Sequence, residues 1–270
     1  MSRLRRLSPP TSPPVVPNLA RREELAKARE TVAVVGGTGA LGFGLTLRWA
    51  LAGVPIVIGS RSEERAAEAA GNALERLRGH GKTDAAVEGL HNDEAVKRAS
   101  TVVLAVPFRT QAENLNNLGH SLQPSTILVD ATVPLAAAIG GRATRTVGVW
   151  QGSAAEQAQE MAPRGVTVVS AFHTVSANLL SDPAREIDED VLIAGDDRKA
   201  KDEVADLVRK IPGLRPVDCG DLEIARILEQ LTPLLISVNK RHKIKHSGIK
   251  LTGLPNRDNE RPPSGGHLGT

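Results

Sequence analysis

Three glycines stand in the spacing Gly37-x-Gly39-x-x-Gly42, directly after a run of branched apolar residues, within VAVVGGTGALGFG. A strand before such a turn and a helix after it are the setting in which the spacing carries meaning. Gly37 is expected to permit the tight turn, Gly39 to let backbone approach a pyrophosphate, and Gly42 to let helix and strand pack closely. A helix opening at Ala40 and Leu41 offers free N–H groups and the positive end of its dipole to an anion. The pattern predicts a dinucleotide site.

The end of the following strand selects among dinucleotides. A carboxylate there would bond a ribose 2′-hydroxyl. This chain has Gly59-Ser60-Arg61, with Arg65 one helical turn on and Thr38 in the glycine turn. A hydroxyl and two guanidinium groups suit a 2′-phosphate through charge-assisted bonds, so NADP is expected over NAD. The bland reading makes Arg61 and Arg65 charges on a solvated helix beside Glu63 and Glu64.

Two apolar runs close on Val106-Pro107 and Val133-Pro134. Ligands of open parallel sheets lie outside the carboxyl ends of strands. Val106 and Val133 are thus candidates for lining a nicotinamide pocket, or are plain core valines. Enzymes that protonate a substrate need a donor near the reacting carbon. The Tyr-x-x-x-Lys chemistry of short-chain dehydrogenases is unavailable, because the chain has no tyrosine. His173, in VVSAFHTVSAN, is the best placed histidine. The single cysteine, Cys219, excludes a cysteine-rich metal centre and an intrachain disulfide, and no metal is expected.

Strand and helix alternate around these residues. Short apolar strands are expected at 31–35, 55–58, 101–106, 126–129, 166–169 and 191–193. Helices follow the first at about 40–52 and the second at 62–78, the latter with Ser62 as N-cap and Arg65 at the reciprocal offset. Nearly continuous apolar strands argue for a parallel sheet covered on both faces. The fold class is α/β, a Rossmann-type doubly wound sheet with a small C-terminal helical domain. The expected division is a basic, proline-rich, disordered extension at 1–30, a nucleotide-binding domain at 31–217, a helical domain at 218–254 and a loose tail at 255–270. A short charged helix is expected at 21–30, and the last helix at about 221–245.

Composition narrows the class. Of 270 residues, 40% are hydrophobic and 24% charged, as in globular proteins. No apolar run reaches the roughly 20 residues of a membrane helix, and no secretory signal is recognisable, so a cytoplasmic protein is expected. Aromatic residues are 2% and net charge is +3. The first disfavours nucleic acid, since single-strand binders stack bases on aromatic platforms, and the second is too mild on its own to argue for it.

The stretches VAVVGGTGALGFGLTLRWALAGVPIVIGSRSEERA, VVSAFHTVSANLL, LIAGDD and GLRPVDCGDLEIARILEQLTPLL, with GIKL, resemble the NADP reductases that use the deazaflavin coenzyme F420. The resemblance runs from about Val32 to Leu251. It implies hydride exchange between reduced deazaflavin and NADP, in a protein that is usually a homodimer. It further implies that Thr38, Gly39, Ala40, Leu41, Ser60, Arg61 and Arg65 hold NADP, that Val106 and Val133 line the nicotinamide, and that Ala177 sits against the deazaflavin. His173, Arg226 and Thr232 match family positions near the two rings. Arg226 and Thr232 are six apart on one expected helix and so do not share a face. Gln230 departs from the smaller hydroxyl residue expected there, and Phe108 from a larger aromatic.

The basic run Lys240–His246 has two readings: attraction of the anionic deazaflavin tail, or a solvated helix end where cations suit the dipole. Other functions also remain open at this level. They are an NADP-dependent reductase of a carbonyl or imine, and a non-catalytic NADP-sensing module. Related domains of membrane metalloreductases need membrane helices and a haem, for which this chain has no recognisable sequence.

Overall fold

A computed structural model describes residues 30–254. The expected extension and its charged helix, apart from Glu30, and the tail at 255–270 lie outside the described residues.

Six parallel strands form the main sheet, in the order β3-β2-β1-β4-β5-β6. They are β1 (Val32–Val35), β2 (Ile56–Ser60), β3 (Val87–His91), β4 (Thr101–Leu104), β5 (Ile127–Asp130) and β6 (Thr167–Ser170). Between them lie α1 (Ala40–Leu51), α2 (Glu63–Gly79), α3 (Asn92–Lys97), α4 (Gln111–Leu118) and α5 (Ala154–Met161). Strand order reverses between β1 and β4, so the crevice for a ligand opens at their carboxyl ends.

Alternation along each strand divides the core into two layers. Val32, Val34, Ile56, Ile58, Val103 and Val129 face a layer with Leu45, Trp49, Ala66 and Leu77. Ala33, Val35, Val57, Val102, Leu104 and Leu128 face the other, with Val96, Leu115 and Ala158. Burial on both faces explains why these strands read as unbroken apolar runs.

Beyond β6 the chain forms the short α6 (Ala177–Leu180), then β7 (Glu189–Ile193), α7 (Arg198–Arg209) and β8 (Leu214–Asp218). β7 and β8 pair in parallel as a separate two-stranded sheet, joined to β6 by one antiparallel bridge, Ser170 to Ala194. The last helix, α8 (Ala225–His242), buries Ala225, Leu228, Glu229, Pro233 and Leu235.

Several expected boundaries move. The strand expected to reach Val106 ends at Leu104, because the chain leaves the sheet there to pass over the glycine turn. The last helix stops at His242, where Lys243 adopts a left-handed conformation with φ of 55°. Lys240, Arg241 and His242 therefore form its last turn, at the end of the dipole that favours cations. β3 and β8 escape sequence reading for physical reasons. β3, VEGLH, is a partly exposed edge strand with little apolar content. β8 carries Pro216, a residue that argues against a strand except at an edge.

Candidate functional site

The glycine turn also involves Gly36, one residue ahead of the Gly37-x-Gly39-x-x-Gly42 spacing. The residue with positive φ is Gly36, at +81°, not Gly37. A Cβ on Gly36 would lie 2.6 Å from Ala105 O and 2.8 Å from Val106 Cγ1. Gly37 instead makes room for β1 and β2, since its Cβ would stand 2.9 Å from Val34 O and 3.0 Å from Ile58 Cγ2. Gly42 lets α1 sit on the turn, with 2.7 Å from a Cβ to Gly36 O. Thr38, Gly39 and Ala40 are exposed and Leu41 is half-buried. No side chain caps α1 at Gly39, and no acidic residue lies in its first turn. Its amides and positive dipole end are therefore open to an anion.

Beside this turn, Ser60 ends β2. Ser62 caps α2 as expected, accepting from Arg65 N at 3.3 Å. Arg65 does not return a bond to the cap: Ser62 N donates to Ser60 Oγ at 3.3 Å, and Ser62 Oγ donates to Glu64 Oε2 at 2.7 Å. Arg65 is exposed. The guanidinium of Arg61, 68% exposed, stands 4.0 Å from Glu113 Oε1 at the start of α4. Arg61, just ahead of the Ser62 cap, is thus turned toward α4.

Three strand exits meet at the same edge. After β4, Val106 leans over Gly36. After β5, Thr132 is buried and Val133 half-buried. After β6, Phe172 is buried with φ of 68°, a strained conformation for a bulky residue. It is held edge-on against Trp49 of α1, ring centroids 5.6 Å apart. His173 follows, 8% exposed, with Nε2 lacking a partner among the described residues. Burial pushes its pKa down to about 4, so the ring is neutral near pH 7. α8 reaches this exit through Thr232, whose Oγ1 donates to His173 O at 2.9 Å. Ala177, half-buried, opens α6 a few residues on.

Arg226 makes no hydrogen bond or ion pair to His173 or Thr232 among the described residues. It is exposed and has no side-chain partner among the described residues. Gln230 is engaged elsewhere, its Nε2 donating to Thr146 Oγ1 at 2.7 Å.

A buried polar network beneath the edge was missed by sequence reading. Asp130, fully buried at the end of β5, accepts from Thr132 N at 2.9 Å and from Thr132 Oγ1 at 2.8 Å. Gln111 Nε2 reaches Asp130 Oδ2 at 2.7 Å, Thr132 Oγ1 at 2.9 Å and Ala154 O at 2.9 Å. Glu229 of α8, 1% exposed, takes the first amides of α5, Ala154 N at 3.0 Å and Ala155 N at 3.1 Å. Burial raises the pKa of Asp130 to about 6. Burial, with a contribution from the charge of Asp130, raises that of Glu229 to about 8. The only sequence signal was a charged residue on an otherwise apolar helix face. The same signal marks Arg48, whose 5%-exposed guanidinium lies in α1.

Comparison with known proteins gives this arrangement a family. Residues 31–134 match the family model described as NADP oxidoreductase, coenzyme F420-dependent. The chain is similar to an F420-dependent NADP reductase of Methanothermobacter thermautotrophicus, 42% identical over 84% of this chain and 97% of the relative. The corresponding Methanocaldococcus jannaschii protein is 42% identical over 83% of this chain and 98% of its own. A solved structure, a candidate F420-dependent NADP reductase from Arthrobacter sp. FB24, superposes with a TM-score of 0.68 at 28% identity, covering 82% of this chain and 98% of that one. The chain belongs to the family of F420-dependent NADP reductases.

Proposed function

We propose that this protein is an oxidoreductase exchanging a hydride between coenzyme F420 and NADP. The observation that carries the reading is the joint presence, in a chain 42% identical to such a reductase over 84% of its length, of an uncapped, acid-free helix N-terminus and a cation-bearing strand end beside it. The first suits a pyrophosphate and the second a 2′-phosphate.

Bound together, the two cofactors supply the chemistry, a hydride passing directly between deazaflavin C5 and nicotinamide C4. The protein's part is binding and orientation. Gly36, Gly37, Gly39 and Gly42 bring backbone close enough to cradle phosphates. Thr38, Ser60, Arg61 and Arg65 hold the adenosine end. Val106 and Val133, half-buried, flank the nicotinamide side. Ala177 provides a small floor for the second ring, where a bulky side chain would intrude. Thr232 fixes the backbone of His173, and a ring carbonyl or carboxamide entering beside it would supply the partner that the buried Nε2 lacks. Holding two rings in reacting contact is worth up to roughly 7–11 kcal/mol in favourable systems.

His173 argues against a carbonyl or imine reductase. With its pKa pushed down to about 4, it is a poor proton donor at neutral pH. The decisive assay mixes oxidised F420 with NADPH and follows the deazaflavin absorbance. Loss of absorbance with NADPH, and much less with NADH, is expected. Absence of any exchange, with NADPH bound normally, would leave a nucleotide-sensing role instead.

The proposal includes a homodimer, supported by exposed apolar residues. Ile227 and Leu234, seven apart on α8, are 54% and 53% exposed, Ile139 73% and Trp150 97%. It also retains residues 31–217 as the nucleotide-binding domain and 218–254 as the helical one. Among the described residues no helix is long and apolar enough to cross a membrane. The reading places the enzyme in the cytoplasm with its nucleotide pool, without a nucleic-acid partner.

A further inference from the structure

The nucleotide-binding helix does a second task at its other end. Arg48, in the last turn of α1, is buried among backbone carbonyls of the segment that follows His173. Its Nη2 reaches Leu179 O at 2.7 Å, Asp182 O at 2.7 Å and Arg185 O at 2.8 Å. Nε reaches Leu180 O at 3.2 Å, and Nη1 reaches Pro183 O at 3.3 Å. Leu179 O and Leu180 O lie at the C-terminus of α6, where Leu179 O also accepts from Asp182 N at 3.4 Å. A guanidinium there satisfies them and meets the negative end of the dipole. No carboxylate stands within ion-pair distance of Arg48 among the described residues; the carbonyls hold the buried cation, and the charge of Asp182 adds a longer-range attraction.

α6 has only four residues, too few to hold a helical conformation unaided. Its position is therefore set by what it touches, and α1 supplies much of that. A Cβ on Gly44 of α1 would lie 2.6 Å from Leu180 Cβ, so the two helices meet at the closest approach a glycine allows. Trp49 holds Phe172, just ahead of His173. Gly44, Arg48 and Trp49 thus clamp both ends of the segment from Phe172 to Arg185, with Ala177 between them.

We propose that Arg48 is a positioning residue for hydride transfer. From the helix whose N-terminus cradles the nucleotide, it fixes the turn bearing Ala177, against which the deazaflavin ring lies. One rigid helix then sets the relation between the two ring sites. The inference rests on the placement of the deazaflavin against Ala177 made above.

The test uses the full chain with Arg48→Ala, Arg48→Lys and Gly44→Ala, and Ala177→Phe alongside. NADP affinity is measured by titration, the KM for reduced F420 in steady state, and the transfer rate in single turnovers at saturating cofactors. For Arg48→Ala, NADP affinity is expected to stay within about threefold while the transfer rate falls about tenfold or more, since misplacement of reacting groups by an ångström costs rate rather than remote binding. Guanidinium ions should restore part of that rate, entering by the cleft of about 460 Å³ that Arg48 lines with Pro183 and Arg185. Sodium at equal ionic strength should not. Gly44→Ala should slow transfer with Arg48 intact. Should Arg48→Ala fail to fold, Arg48→Lys and Gly44→Ala are expected to show the same split.

Unchanged transfer in the folded variants would overturn the proposal. So would equal losses of NADP affinity and transfer, which would mark a general destabilisation. Normal transfer by Ala177→Phe would remove the deazaflavin from this turn and fail the underlying placement. A dead Ala177→Phe beside fully active Arg48 and Gly44 variants would fail the positioning role alone.

Discussion

Replacing Glu229 by glutamine should change how stability depends on pH, and the structure fixes the sign. Glu229 is 1% exposed, and both its oxygens face backbone amides of α5. Burial, and then the charge of Asp130, lift its pKa from 4.5 to about 8 despite those amides. The folded protein therefore keeps this proton where the unfolded chain has released it. The stabilisation from proton retention is complete below the unfolded value and is lost as pH rises through the folded one. A rise of that size corresponds to about 4–5 kcal/mol at 1.36 kcal/mol per pH unit. Relaxation and water entry around a buried charge reduce this, leaving roughly 2–3 kcal/mol.

Glutamine resembles the protonated acid. One oxygen accepts an amide, while its NH2, like the acid's hydroxyl, meets the second amide unfavourably. Wild type and Glu229→Gln should therefore have similar stability near pH 5, and the variant should be the more stable above about pH 8. For a domain of this size the gap amounts to a Tm difference of roughly 5–10 °C. Thermal and urea unfolding followed by circular dichroism across that range measures it. A stability difference that does not vary with pH would refute the reasoning. So would a variant losing ground as pH rises, since it would mean that the α5 amides hold Glu229 ionised throughout.

The remaining predictions concern the cofactors. Gly36→Ala should abolish NADP binding, because a Cβ would meet Ala105 O at 2.6 Å in a residue already at φ of +81°; measurable NADP affinity in a folded variant would contradict the cradle. Arg61→Gln with Arg65→Gln should weaken NADP by about 10–100-fold and leave NAD nearly unchanged, since each charge-assisted bond is worth roughly 1.5–3 kcal/mol before solvent screening; equal losses for the two nucleotides would refute a 2′-phosphate role. Glu113→Gln should tighten NADP no more than a few-fold, by freeing Arg61 from a pair at 4.0 Å that is exposed on both sides; weaker binding would show that Glu113 contacts the nucleotide instead. Ala177→Phe should abolish transfer to and from F420 with NADP affinity retained, and simultaneous loss of both would indicate misfolding.

How legible each part was follows from how local its physics is. The glycine turn and the end of β2 could be read because their residues are contiguous and each type answers one steric or electrostatic demand. Even there, the positive φ falls on neighbouring Gly36, outside the Gly37-x-Gly39-x-x-Gly42 spacing, where a Cβ would also meet Ala105 O at 2.6 Å from across the sheet. Strands β1, β4 and β5 were legible from two-sided burial, whereas β3 and β8, at edges, lacked that pattern. The proposed ring site was legible only in part. Thr232 meets His173 across 59 positions, Glu229 meets Ala154 across 75, and Arg48 meets Leu180 across 132. No spacing rule reaches that far. What does survive in the sequence is an anomaly: Arg48 within LTLRWAL and Glu229 within RILEQL put a charge where the helix face is otherwise apolar. A buried charge without hydrogen-bonding partners is too costly to persist, so each anomaly implies a polar partner brought by the fold. In this protein those partners are backbone groups, the amides of α5 in one case and the carbonyls around α6 in the other.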